Sequence, residues 1–311
     1  MVATRQAYGE ALAEIGHNEN IVVLDADLSK STMTALFKEK YPERFFNCGI
    51  AEGNMMSVAA GLAAVGKTVF ASSFAMFAAG RAFEQIRNSI CYPNLNVKIG
   101  ATHAGISVGE DGATHQCIED IALMRAIPNM VVLSPADGEE TKQAVKWAAG
   151  HPGPVYLRLG RLAVPDVRGQ GSGVRFEIGK GRLLNEGDDI AIIATGLMVS
   201  KALETAEALK KEGISARVIN MSSIKPIDKE IIIKAAKETK GIITAEEHNI
   251  YGGLGSAVAE VVCQYAPCKI EMVAIEDKFG RSGKPDELLS MYGLTAENIT
   301  LKCKKLMNNE N

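Results

Sequence analysis

Five short runs of aliphatic and β-branched residues recur through the first half of the chain. They are "IVVLDA" (21–26), "KTVFASS" (67–73), "NVKIGAT" (96–102), "MVVLSPA" (130–136) and "PVYLRLG" (154–160). A helical pattern separates each run from the next: "EGNMMSVAAGLAAVG", "RAFEQIRNSICY", "IEDIALMRAI" and "EETKQAVKWAAG". Strands this continuously apolar are buried on both faces, and connections of this length carry crossover helices, so the strands run parallel. The rhythm breaks at "PDVRGQGSGVRFEIGKGRLLNEG" (165–187), where glycines and charges read as a linker. It then resumes with "DIAIIATG", "SARVINM", "GIITAEE" and "KIEMVAI", again alternating with helical stretches. The sequence predicts two parallel-sheet α/β domains, residues 1–165 and 188–311, joined by a linker over 166–187.

Composition excludes several classes of function. With 34 basic and 37 acidic residues the net charge is −3, which offers neither a nucleic-acid footprint nor a polybasic membrane surface. No apolar run reaches the roughly 20 residues that span a bilayer. The six cysteines form no CxxC pair, as expected of reduced thiols in a cytoplasmic protein, and predict no sulfur-bound metal.

Chemistry concentrates in three stretches of the first half. In "NCGIAEGNMM", Glu52 opens a helix of small residues, so its carboxylate is either a first-turn partner of the helix dipole or a buried acid that needs a partner. In "SSFAMF", Phe74 and Phe77 stand three apart and can present two rings on one side of a turn, or simply fill core. In "ATHAGISVGEDGATHQ" (101–116), His103, Asp111 and His115 are separated by Gly105, Gly109 and Gly112. Glycines let such a loop fold back and gather those groups into a polar pocket for a hydroxylated ligand, where imidazoles donate hydrogen bonds or move protons. A plain surface loop is the alternative, and a metal site lacks a third ligand at a familiar spacing. "GGLGSA" (252–257) has a glycine-rich look without a GxGxxG pattern.

Taken together and in this order, "GIAE", "SSFAMF" and "ATHAGISVGEDGATHQ" resemble the pyrimidine-binding domain of transketolases, and the segment from "IAIIATG" to "IKPID" resembles the transketolase C-terminal domain. The resemblance implies a thiamine diphosphate-binding (pyrimidine) fold followed by a transketolase C-terminal-like domain. It implies that Glu52 hydrogen-bonds the cofactor's pyrimidine, that Phe74 and Phe77 pack against it, and that Asp27 lies near the thiazolium. Asp111 and His115 match residues that hold the donor sugar's hydroxyls, and Arg5, Ser31, His103 and Arg161 match the set that grips a substrate phosphate. Gly80 stands where many members carry a further aromatic residue. Full-length members bind the diphosphate through an N-terminal domain with a GDG motif and a divalent metal, and no GDG occurs here. The expectation is therefore the C-terminal subunit of a split transketolase, with thiamine diphosphate and Mg²⁺ or Ca²⁺ held by an N-terminal partner subunit, two copies of each chain, and sugar phosphates as substrates. Deoxyxylulose-phosphate synthase-like and 2-oxoacid dehydrogenase β-like subunits share this domain pair, and a non-catalytic scaffold would keep the fold without needing Glu52, Asp111 and His115.

Overall fold

The apolar runs of the first half become the middle of one seven-stranded sheet. In this computed structural model, which describes residues 1–167 and 176–308, the strand order is Ser223–Lys225, Val131–Leu133, Val155–Arg158, Val97–Thr102, Thr68–Phe74, Ile21–Asp25, Phe45–Asn47. All pairs but the first are parallel, with registers such as Val23↔Phe70 and Ile99↔Tyr156. Both faces are covered: Val22 and Leu24 pack into one apolar cluster and Ile21 and Val23 into another. That is the reason the strands read as unbroken apolar runs rather than as alternation.

The second half builds a five-stranded sheet in the order Ile270–Ile275, Ile242–Asn249, Ile190–Ala194, Ala216–Asn220, Arg182–Asn185. It too is covered twice, with Ile190 and Ile192 on one side and Ala191 and Ile193 on the other. Its flanking helices start where their sequences provide caps. Asp228 accepts the Ile231 N–H at 3.2 Å and Thr295 the Asn298 N–H at 3.2 Å, filling donors that a helix start leaves unpaired.

Several features depart from the sequence reading, among them the short strand Phe45–Asn47 and a two-stranded sheet of Val2–Ala3 with Ala163–Val164. Arg182–Asn185, inside the expected linker, is an antiparallel edge strand of the second sheet; residues 168–175 of that linker lie outside the described residues. Ser223–Lys225, from the second half, pairs antiparallel with Val131–Leu133 and closes the edge of the first sheet, so both sheets are mixed and mainly parallel. "RAFEQIRNSICY" is not one α-helix: Met76–Arg81 and Ile86–Cys91 are π-helical turns on either side of a short α-turn at Phe83–Gln85. π-turns insert a residue per turn and re-phase the side chains that follow, and they favour functional positions. No described helix is long and apolar enough to cross a membrane.

The two halves share a buried ionic joint. Asp120, fully buried, accepts hydrogen bonds from the Tyr156 hydroxyl at 2.9 Å and from the Arg158 Nε at 2.9 and 3.1 Å. The same guanidinium donates to the backbone carbonyl of Glu247 in the second half at 2.8 Å.

Candidate active site

The residues singled out in the sequence collect beyond the carboxyl ends of the parallel strands. Asp27 follows Ile21–Asp25, Glu52 follows Phe45–Asn47, Phe74 ends its strand, His103 follows Val97–Thr102 and Arg161 follows Val155–Arg158. Open parallel sheets place ligand sites there because the crossover loops converge at that end.

Glu52 sits in the first turn of the helix Glu52–Ala64 with 1% of its surface exposed. A carboxylate that deep needs a partner, and the partner is Arg81, whose Nη1 lies 2.8 Å from Oε2. The Arg81 guanidinium also lies over the Phe77 ring, 4.6 Å from its centroid. Arg81 was not found by sequence reasoning. The signal available was its place four residues after Phe77, which on a helical turn shares a face with it.

Phe74 and Phe77 are stacked at 6.1 Å, and the two loop histidines join them. The His103 ring stacks on Phe74 at 3.9 Å, and His115 meets Phe77 edge-on at 5.2 Å. Aromatic pairs in these arrangements add about 0.5–1.5 kcal/mol beyond their buried area. Met76 sets its methyl over Gly80, filling the place a side chain there would take.

Arg5 and Arg161 are brought side by side by backbone anchoring: Thr4, which opens the first helix, accepts the Gly160 N–H at 2.7 Å through its hydroxyl. Arg5 donates to the Ser31 carbonyl at 2.7 Å, and Arg161 contacts the Val108 carbonyl and the exposed Glu110, 3.1 Å away. Burial, then the charge of Arg161, pushes the Arg5 guanidinium below its ordinary value. Burial also pushes the His103 imidazole down to about 3, aided by Arg5, Arg161 and His115, so that ring is neutral near pH 7. Half-buried cations crowded together in this way attract an anion. His103 also holds φ at +57°, a left-handed conformation unusual for a residue with a side chain.

Two predicted residues are exposed to solvent. Asp111 is exposed at the tip of the 109–112 turn and makes no side-chain hydrogen bond among the described residues. Asp27, also exposed and left-handed at φ +66°, accepts from Asn47 Nδ2 at 2.7 Å. The glycine-rich "GGLGSA" is no anion loop: the buried carboxylate of Glu246 already accepts the Leu254 and Gly255 N–H groups at 2.6 and 2.8 Å. Among the described residues no group of three or more His, Cys, Asp or Glu could hold a metal ion.

Comparison with known proteins gives the family. Residues 1–166 match the transketolase pyrimidine-binding domain family and residues 179–299 the transketolase C-terminal domain family. The structure of a split gene transketolase, solved as an inactive beta4 tetramer, superposes with a TM-score of 0.92 at 55% identity, covering all of both chains. The 6-deoxy-6-sulfo-D-fructose transketolase subunit SqwH of Clostridium sp. is 40% identical over 308 residues, covering 99% of this chain and 95% of that one. A subunit of the apulose-4-phosphate transketolase of Phocaeicola vulgatus is 39% identical over 300 residues, covering 96% of each. The chain spans about half the length of the transketolase of Rattus norvegicus, to which it is 39% identical. The chain thus belongs to the transketolase family, of which it carries the pyrimidine-binding and C-terminal domains.

Proposed function

We propose that this chain is the pyrimidine-holding half of a thiamine diphosphate-dependent enzyme that moves a two-carbon ketol unit between sugar phosphates. Residues 1–165 serve as the pyrimidine-binding unit and 188–311 as the second unit, with 166–187 between them. A separate subunit holds the diphosphate and its Mg²⁺ or Ca²⁺, in an assembly of two copies of each chain. The observation that carries this reading is the triangle of Glu52, Arg81 and Phe77. A flat, N–H-bearing group already rests on the Phe77 ring while donating to the buried Glu52 carboxylate, 2.8 Å away. Those are the two contacts an aminopyrimidine needs, so the residues present fit it.

When bound, thiamine diphosphate supplies the electron sink for the two-carbon unit. The chain's own residues then orient and shield. Glu52 would exchange a proton with the cofactor's aminopyrimidine, Phe74 and Phe77 would keep water from that ring, and Asp27 would serve the cofactor's thiazolium end. His115 and Asp111 hold the donor's hydroxyls, with His103 and His115 also the groups that move protons at the sugar. Arg5, Arg161, His103 and Ser31 bind the anionic end of the substrate, since guanidinium forks match tetrahedral oxyanions. Phosphorylated ketoses of the pentose phosphate pathway, handled in the cytoplasm, are the substrates this reading favours.

The test is reconstitution. The purified chain should show no ketol transfer and little calorimetric binding of thiamine diphosphate, and both should appear on adding the diphosphate-binding subunit with Mg²⁺. Full transfer, or micromolar cofactor affinity, from this chain alone would overturn the reading. In the reconstituted enzyme, Arg161→Ala should raise KM for a phosphorylated ketose by about 10- to 100-fold, because a charge-assisted hydrogen bond is worth about 1.5–3 kcal/mol. An unphosphorylated ketose should be affected far less, and equal effects on both would remove Arg161 from the anion site.

A further inference from the structure

The three glycines of the 103–116 loop do more than turn the chain. Gly105, Gly109 and Gly112 have φ of +84°, +88° and +76°, and each faces a residue of the second half. A methyl on Gly105 would overlap the Glu247 carboxyl; one on Gly112 would lie 2.6 Å from Ser282 Oγ, and one on Gly109 3.1 Å from Pro285 Cγ. Only residues without a side chain let the second half approach the loop backbone this closely.

Hydrogen bonds cross the same boundary. The Ser107 N–H donates to Glu247 Oε1 at 2.6 Å. Gln116, 3% exposed, donates from Nε2 to the Arg281 carbonyl at 2.9 Å and to the loop's own Ile106 and Gly109 carbonyls at 3.2 Å each. Glu247 is itself anchored, because Arg158 donates to its backbone carbonyl at 2.8 Å while gripping Asp120. His103, left-handed at φ +57°, holds a conformation that local preference disfavours in a residue with a side chain, and such conformations persist where surrounding contacts over-determine them.

We propose that Glu247 and Gln116 are positioning residues for the candidate site: the second α/β unit holds the loop that carries His103, Asp111 and His115. The proposal rests on reading that loop as the sugar-binding element. It assigns the C-terminal half a part in substrate geometry, acting through the loop.

Histidine-edited NMR of the isolated full chain tests it without any partner, with His17, which bonds the Glu14 carbonyl, and His151, which stacks on Trp147, as internal references. Glu247→Ala and Gln116→Met should each displace or broaden the His103 and His115 imidazole signals and leave those of His17 and His151 in place. Glu247→Gln, which keeps an acceptor oxygen for the Ser107 N–H, should restore both signals. In the reconstituted enzyme the first two variants should raise KM for the ketose donor at least tenfold while thiamine diphosphate affinity stays within twofold. A merely structural role would lower thermal stability and leave the imidazoles unmoved, and wild-type His103 and His115 signals in both variants would overturn the proposal. So would displaced signals with an unchanged donor KM in an active assembly. Should Glu247→Ala not fold, Gln116→Met carries the same reading. Displaced signals in the variants, together with a wild-type assembly that shows no ketol transfer, would support the positioning role and count against the proposed function instead.

Discussion

Glu52→Gln is expected to lower turnover of the reconstituted enzyme by about 10²- to 10⁴-fold, the span that a positioned acid or base contributes, with little change in thermal stability. The carboxyl is 1% exposed and its ion-pair partner, Arg81, has half its side chain in solvent, at 51%. An amide in place of the carboxylate still accepts from Arg81 through its oxygen, and the guanidinium keeps its contact with water, so folding loses little. What is lost is the acid–base group, able to take up and return a proton, that the proposed pyrimidine contact requires. Turnover at saturating donor and a melting curve of the isolated chain separate the two effects. Near-normal turnover in the variant would dismiss Glu52 as the pyrimidine partner.

The largest stability effect is expected from Asp120→Ala, which should reduce the free energy of unfolding by about 3–5 kcal/mol, the usual cost of removing one partner of a buried ion pair. Asp120 is 0% exposed and Arg158 6%. The substitution leaves the guanidinium without its carboxylate and the buried Tyr156 hydroxyl without its acceptor. Because Arg158 also holds the Glu247 backbone, the loss spreads to the joint between the halves. Asp120→Leu combined with Arg158→Met should recover part of it, since an apolar pair removes the unpaired charge. Urea denaturation is the measurement, and a loss under about 1 kcal/mol for the single variant would show that water reaches the joint.

Strand identity was legible in the sequence because it is set by neighbours in the chain. A strand covered on both faces is apolar at most positions rather than at alternate ones, and the five runs from "IVVLDA" to "PVYLRLG" say so without reference to anything distant. The same locality explains the misses: a three-residue edge strand such as Ser223–Lys225 has no period to read, and its place depends on the Val131–Leu133 edge left open in the other half. The π-turns at Met76–Arg81 and Ile86–Cys91 use residues that suit an α-helix equally well.

For the site, residue types in a characteristic order picked out His103, His115, Phe74 and Phe77, and the fold brings those four rings together. Glu52 and Arg81 are 29 positions apart, and Ser107 and Glu247 140 apart, and no local pattern pairs them. The loop glycines show the limit most sharply. In sequence they read as hinges, which backbone freedom alone would justify. The structure gives each a facing side chain from the other domain, because whether a missing Cβ serves a turn or a close approach is decided by what packs against it. Local preference and burial pattern therefore determined the strands, the helices and the inventory of reactive groups. Long-range packing alone decided which carboxylate meets which cation and which surface holds the loop.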